Sequence, residues 1–354
     1  MAVRAADPVG EGTWQERGEH AARERRERRQ AQQVRGGVQL FCLVLTVLLV
    51  WQYHRFISAI LAEAPRLPPR PDGAEAFLPI AAVVSLFHLV KTGEYDPIHP
   101  AALTILLAAI LVSLLARKAF CAWVCPVGAL SEWLASLGER CWGRTFHLPR
   151  WLDRPLLGVK YVLLAFFLFG IARTGDYYYY HFDRYADVAM YGYWFWGRFG
   201  PVMIVFATVT AVWSLFVRAP WCRYLCPYGA LLGLFSRFSP TRITRNPEQC
   251  TQCGACARRC PSRIAVDRLP SVASAECTAC LECTSACPVR DALAVRAGSR
   301  RLSAPRLAVL VGGLFFGGIG LAMLTGHWRT AIPPVEYRRV VPALRTGPRM
   351  PHRF

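Results

Sequence analysis

The sequence predicts a mainly α membrane protein in which a small α+β, cysteine-rich domain is inserted before the last helix. Three observations carry that expectation. The chain of 354 residues is 54% hydrophobic with a mean hydropathy of +0.25, yet its net charge is +19. That combination suits apolar spans bordered by basic segments on one side of a bilayer. Five apolar runs approach the roughly 20 residues needed to cross one. Two cysteine runs of identical spacing stand between the fourth and the fifth.

Residues 1–35 form a polar, basic tail, with Arg23, Arg25, Arg26, Arg28 and Arg29 ahead of the first apolar run. The composition predicts a mobile or helical cytoplasmic segment, and the long apolar run that follows does not fit a cleaved leader. Residues 36–240 make a membrane domain. Its first span is expected at about 37–58, ending on Trp51, Tyr53, His54 and Arg55 as interface anchors. Residues 75–92 carry Glu75, Pro79, His88 and Lys91 and read as a short interfacial or re-entrant helix. Further spans are expected at about 99–117, 156–173 and 200–217. The cysteine-rich domain covers 241–300, a last span 301–326, and a basic tail 327–354. Arg117, Lys118, Arg140, Arg144, Arg150 and Arg154 load the loop after the second span, which places that loop, the amino terminus and the cysteine-rich domain inside. The tail after His327 then falls outside despite its arginines.

The cysteine-rich stretch contains the pattern C-x2-C-x2-C-x3-C-P twice, first at Cys250, Cys253, Cys256, Cys260 and Pro261, then at Cys277, Cys280, Cys283, Cys287 and Pro288. This is the spacing of a bacterial two-cluster ferredoxin, in which the fourth cysteine of each run serves the other cluster. Cluster one is assigned to Cys250, Cys253, Cys256 and Cys287, and cluster two to Cys277, Cys280, Cys283 and Cys260. Each fourth cysteine is expected at a helix start. Twin runs with a following proline suit two [4Fe-4S] clusters better than tetrahedral zinc or disulfides.

An internal repeat lies within the membrane domain. Pro100, Ser113, Leu114, Arg117, Cys121, Cys125, Pro126, Gly128, Ala129 and Leu130 align at one offset with Pro201, Ser214, Leu215, Arg218, Cys222, Cys226, Pro227, Gly229, Ala230 and Leu231. So many identities in one register mark a duplicated unit, a span followed by C-x3-C-P. A fainter third echo has Leu78 where a cysteine would stand, before Pro79. The prolines suit the first position of a following helix, whose amino terminus favours thiolate at Cys125 and Cys226. If the units face one another, Cys121, Cys125, Cys222 and Cys226 converge. They would then hold a third metal centre, bind copper, or act as a thiol redox pair. The alternative is packing at the interface.

Other features exclude or weigh less. No nucleic-acid motif accompanies the positive charge, and no C-x-x-C-H occurs for covalent haem. All cysteines but Cys42 and Cys141 fall in motifs, which argues for metal ligation in a reducing compartment. The outer segment Tyr177–Asp183, with His181, and Tyr191–Trp196 reads foremost as an aromatic belt and secondarily as a quinol mouth or docking surface. His54 and His88 read as interface anchors.

The combination of two C-x3-C-P motifs between membrane spans with a following two-cluster ferredoxin resembles the NapH/NosR-type membrane polyferredoxins over about residues 36–325. The resemblance implies a multi-pass protein of the bacterial cytoplasmic membrane. Electrons would pass between the quinone pool and a redox partner, periplasmic or membrane-bound, in an anaerobic or nitrogen-oxide type of respiration. In that setting the chain is the membrane component of a quinol dehydrogenase or a plain electron carrier. A different class is also open, an assembly or regulatory factor that supplies electrons or handles copper for a maturing metalloenzyme. The chain departs from the family by lacking an outer flavin-binding domain, by Leu78, and by a fifth span beyond the four-span pattern.

Overall fold

The computed structural model describes residues 14–144, 146, 148–181, 183–195, 200–289 and 291–346; side chains within 14–29, 174–183, 193–195 and 344–346 are outside that description. Helix α1 (Trp14–Leu61) joins the basic amino-terminal segment to the first apolar run as one helix of 48 residues. The tail is thus helical from Trp14. Its length carries it from one end of the helix bundle to the other and beyond.

The fainter echo of the repeat has a structural counterpart. A 3-10 turn (Asp72–Phe77) leads to Leu78, which precedes α2 (Pro79–Thr92) with Pro79 in the first turn. Cys125 stands in the same position before α5 (Pro126–Trp142), and Cys226 before α9 (Pro227–Ser236). In each case proline occupies a position whose missing N–H would have had no helical partner.

The bundle is built around α3 (Pro100–Ala116). Ala101, Leu103, Leu106, Ala109, Val112 and Ala116 are buried, and the helix packs on α2, α9 and α12 (Ala304–Leu324). Short α4 (Ala119–Trp123) follows. Helix α6 (Arg150–His181) and then α7 (Ala186–Phe195) lead to α8 (Gly200–Phe216), and a π turn (Trp221–Leu225) ends in Cys226. Among the described residues, three helical stretches are long and apolar enough to cross a membrane: Gln30–Leu61, Arg150–Arg173 and Ala304–Leu324. Three of the expected spans coincide with these. The other two are α3 and α8, apolar helices of 17 residues each, and α2 is shorter still at 14.

The duplicated units interlock. Helix α3 of the first unit packs on α9 of the second, and α8 of the second packs on α5 of the first. The α5–α8 crossing is close because position 138 is glycine. A Cβ there would lie 1.7 Å from the Leu215 carbonyl oxygen. Ser131 and Ser214, one on each helix, share a hydrogen bond of 3.0 Å in the same crossing.

The cysteine-rich domain holds a four-stranded antiparallel sheet of β1 (Thr241–Arg245), β2 (Ser271–Val272), β3 (Leu293–Ala297) and β4 (Arg300–Leu302), in the order β2-β1-β3-β4. Short helices α10 (Ala255–Arg259) and α11 (Glu282–Ala286) complete it. Ile243 pairs with Val295, and Val295 with Leu302, so one face of the sheet carries an apolar row into the core. Alternation along the strands sends Arg242, Arg296 and Arg301 to the other face.

Four attachments fix this domain to one end of the bundle. The Arg117 guanidinium, buried to 1% exposure, donates to the carbonyls of Ser236, Val272 and Ser274. Trp123 Nε1 donates to the Ala279 carbonyl over 3.1 Å. From α1, Gln32 donates to Ser285 Oγ, and Arg35 pairs with Glu282 and Glu132. The amino-terminal part of α1 and the cysteine-rich domain therefore share one end of the bundle. Helix α13 (Pro334–Thr346) lies at the other end against α1, where Tyr337 packs on Phe56 and Arg338 donates to the Ala64 carbonyl. That opposite end is held by Arg70, which pairs with Asp72, Glu75 and Asp187.

Candidate metal centres

The two cysteine loops are built alike. Gln252 and Gly254 flank Cys253 with positive φ of 54° and 69°, and Ala279 and Leu281 flank Cys280 with 47° and 64°. Three of those four residues carry a Cβ, so the left-handed conformation costs free energy there, on the order of 1–3 kcal/mol each. A backbone of this kind turns successive N–H groups inward, as at sites that hold anionic clusters. The fourth cysteine of each run does not open a helix as expected. Cys260 terminates α10 and Cys287 terminates α11, with extended backbone at both. The proline that follows is the cause, since it disfavours helical φ/ψ in the residue before it.

Cys260, Cys277, Cys280 and Cys283 line one pocket together with Ile243, Val266, Val272 and Leu281. Cys283 lies within electrostatic range of the other three and of Cys256, and Cys256 in turn of Cys287. The four thiols expected for the second quartet thus line one pocket, and of those expected for the first, Cys256 lies within electrostatic range of Cys287 and also of Cys283. Cys253 is exposed and Cys250 half-buried, at the rim of the domain. The Ala255 N–H points at the Cys253 sulfur and holds that thiol below its ordinary pKa.

The C-x3-C-P cysteines also converge. Cys222 lies within electrostatic range of Cys226, Cys125 and Cys121, and Cys121 of Cys125 and Cys226. Interlocking of the two units accompanies this, since α3, which leads into the first thiol loop, packs on α9, which follows the second. Gly229 N–H donates to Cys226 Sγ over 3.2 Å, and Val127 and Gly128 N–H point toward Cys125. Gly128 permits the tight return of the first loop, since a Cβ there would lie 2.1 Å from the Cys121 carbonyl oxygen. Cys42 of α1, which spacing left alone, lies within electrostatic range of Cys125. It was illegible because its neighbour comes from a distant stretch of chain.

A cavity of about 1460 Å³ connects these groups. Its lining includes Cys42 and the four C-x3-C-P thiols, Lys118, and from the cysteine-rich domain Glu276, Thr278 and Cys280. Apolar walls come from Leu164, Phe167, Phe206, Trp221 and Phe315. Glu276, the residue before Cys277, accepts from Lys160 at 2.6 Å, Lys118 at 3.3 Å and Tyr161 Oη at 3.0 Å. Burial alone would raise the Glu276 carboxyl, but the two lysines outweigh it and hold it at about 2. Both lysine side chains are nearly or fully buried, at 5% and 0% exposure. Two buried cations on one carboxylate leave a positive excess beside the thiols, since Lys118 also faces Cys121 and Cys222. Buried charge without a partner is costly, so the donor set fits an anionic thiolate-bound group. Among the described residues, no three His, Cys, Asp or Glu side chains are gathered tightly enough to hold a single metal ion. Ligands spread around a multi-iron core have no such requirement, each thiolate taking a separate iron.

The remaining sequence candidates are placed as follows. His54 Nδ1 shares a 2.5 Å hydrogen bond with Tyr191 Oη at the end of the bundle away from the cysteine-rich domain. The side chains of Tyr177–Asp183, His181 among them, and of Tyr193–Trp196 are outside the described residues. Arg35, Trp123 and Glu276 were not singled out from the sequence, and Arg117 was read only as a loop charge and a repeat position; each bonds to a residue more than 90 positions away.

Comparisons with known proteins bear on both thiol groups. A family model described as a 4Fe-4S binding domain matches residues 98–145 and again 199–246, the two repeated units. A model described as a 4Fe-4S dicluster domain matches 242–293. YccM of Escherichia coli (strain K12), a protein named for electron transport, is 41% identical over 323 residues, covering 87% of this chain and 89% of the relative. The ferredoxin-type protein NapH of the same organism is 28% identical over 43% of this chain and 50% of its own length. The regulatory protein NosR of Pseudomonas aeruginosa is 29% identical over 41% of this chain, but the match spans only 20% of NosR. No solved structure matches. The repeated thiol units, the twin cysteine runs and the near full-length similarity to YccM together identify the chain as a member of the NapH/NosR-type membrane polyferredoxins, iron–sulfur proteins of electron transfer.

Proposed function

We propose that the chain carries electrons between the quinone pool of the bacterial cytoplasmic membrane and a redox partner, through three thiolate-held centres. Two are [4Fe-4S] clusters, held by Cys250, Cys253, Cys256 and Cys287 and by Cys277, Cys280, Cys283 and Cys260. The third is held by Cys121, Cys125, Cys222 and Cys226. The observation that carries the proposal is the shared cavity, in which the C-x3-C-P thiols and the Cys280 loop border the same space. When bound, such clusters supply one-electron transfer at potentials set by charge, hydrogen bonding and exposure. The chain's own residues do the rest. Lys118, Lys160 and Glu276 set the local charge, and Trp123 and Arg117 hold the cluster-two loop against the bundle. Apolar side chains exclude water from the cavity, whose size and walls suit the ring of a quinone. Cys253 at the exposed rim is the edge nearest a soluble or membrane-bound partner. In this reading the amino terminus and the ferredoxin part face the cytoplasm and five helices (α1, α3, α6, α8 and α12) cross the membrane, an orientation that the basic loop after Arg117 supports.

Anaerobic purification followed by iron analysis and EPR tests this. Two interacting reduced cubanes, with further iron lost when the four C-x3-C-P cysteines are replaced by serine, support it. Zinc in place of iron contradicts it.

Cys42 beside Cys125 favours a second reading, in which a sulfur-rich site handles copper for a maturing metalloenzyme. Soft thiolates select Cu(I). Copper retained by the purified chain, and lost with Cys42→Ser, would favour that reading.

A further inference from the structure

Arg242, Arg296 and Arg301 stand directly opposite one another on three neighbouring strands, as Arg242↔Arg296 and Arg296↔Arg301. All three are exposed, on the face of the sheet turned away from the apolar row Ile243–Val295–Leu302. Like charges directly opposite in a sheet destabilise it. Only Arg301 of the three has an ion-pair partner among the described residues, Asp291. A row of this kind persists more easily where an anion lies over it.

The row sits where the sheet meets the membrane helices. Thr241, next to Arg242, donates its hydroxyl to the Leu115 carbonyl in the last turn of α3 over 2.6 Å. Leu302, next to Arg301, is separated from α12 by Ser303 alone, and α12 is one of the three membrane-length helices. Exposed Arg237, Arg300 and Arg306 border the same region. Between α9 and β1, Phe238 is 78% exposed, beside Leu234 at 49%, while Val309 in α12 is 74% exposed. Guanidinium groups adjoining exposed apolar side chains match the boundary between lipid headgroups and acyl chains. An acidic protein would account for the arginines but not for Phe238 and Val309.

We infer that the Arg242–Arg296–Arg301 row binds the phosphates of anionic phospholipids, and so holds the open face of the ferredoxin sheet at the membrane surface. Arginine suits this role because its planar fork pairs with phosphate oxygens two at a time.

The test uses the full-length protein in nanodiscs of phosphatidylcholine alone or with phosphatidylglycerol, read by amide hydrogen exchange across residues 293–302. In the wild type, phosphatidylglycerol slows exchange by about threefold or more. The variant Arg242→Gln/Arg296→Gln/Arg301→Gln loses that response. In phosphatidylcholine alone, Arg296→Gln exchanges more slowly than the wild type, because repulsion is relieved. Equal exchange of the wild type in the two lipids overturns the inference, as does an undiminished response in the triple variant. If exchange slows only when an acidic ferredoxin is added as a probe, the row is a protein-docking face and the lipid assignment fails.

Discussion

Trp123 and Ala279 meet across the boundary between the membrane domain and the ferredoxin domain, the indole N–H donating to the Ala279 carbonyl at 3.1 Å. Trp123 is two residues from both Cys121 and Cys125, and Ala279 is two from Cys277 and adjacent to Cys280. One fully buried side chain therefore joins the loops of two thiol groups. Trp123→Phe keeps an aromatic ring but leaves the Ala279 carbonyl without its donor, at a cost of about 1–3 kcal/mol. The expected outcome is a lower unfolding temperature with cluster content retained, and a changed midpoint potential for cluster two in a spectroscopic redox titration. An unchanged potential would limit Trp123 to a packing role.

Glu276→Gln removes the carboxylate that pairs with both Lys118 and Lys160. Breaking a buried charge group in this way costs about 3–5 kcal/mol. Denaturant unfolding should show the loss. The companion variant Glu276→Gln/Lys160→Met, which removes one cation as well, should recover part of it.

Gly128→Ala is a local probe of the C-x3-C-P group. The added methyl would meet the Cys121 carbonyl at 2.1 Å, and backbone cannot yield as a flexible side chain can. The ferredoxin loops are built from other residues. Iron bound at Cys121, Cys125, Cys222 and Cys226 should fall, while the EPR signals of the two cubanes persist. Simultaneous loss of all signals would show that the domains do not fold independently of this loop.

Glu139 bridges Arg218 at 2.5 Å, beyond the end of α8, and Arg259 at 2.8 Å, in α10. Burial acts to raise its carboxyl pKa, but Arg218 and Arg259 prevail and hold it below the ordinary 4.5. A depressed folded-state pKa means that the stabilisation is fully present above about the unfolded value and is lost as pH falls through the folded one. Hydrogen-exchange protection near Arg259, corrected for the intrinsic rate at each pH, should therefore fall on acidification below about pH 4.5. Glu139→Gln should flatten that dependence while raising exchange at neutral pH.

Much of this molecule was legible in its residues. The twin cysteine runs predict two loops of one build because ligand spacing is local, and both loops carry the same pair of positive φ angles around their second cysteine. Cys125-Pro126 and Cys226-Pro227 specify helix starts for the same reason, and even Leu78-Pro79 keeps the device without the sulfur. The expected helix start at Cys260 and Cys287 failed because the proline after each disfavours helical backbone in the cysteine, which therefore ends the preceding helix. Arg117, Arg35 and Trp123 were not legible. Each looks like a helix-end charge or an interface anchor until its distant partner is known. The same holds for Cys42, whose neighbour Cys125 is supplied by packing between helices and not by spacing.

Iron stoichiometry of the anaerobically purified full-length protein, wild type against Cys121→Ser/Cys125→Ser/Cys222→Ser/Cys226→Ser, tests the central claim most directly. Two ferredoxin cubanes and a third cubane on the C-x3-C-P thiols predict about twelve irons per chain, falling to about eight in the variant with both ferredoxin signals intact. About eight irons in both proteins, or zinc in either, would contradict it.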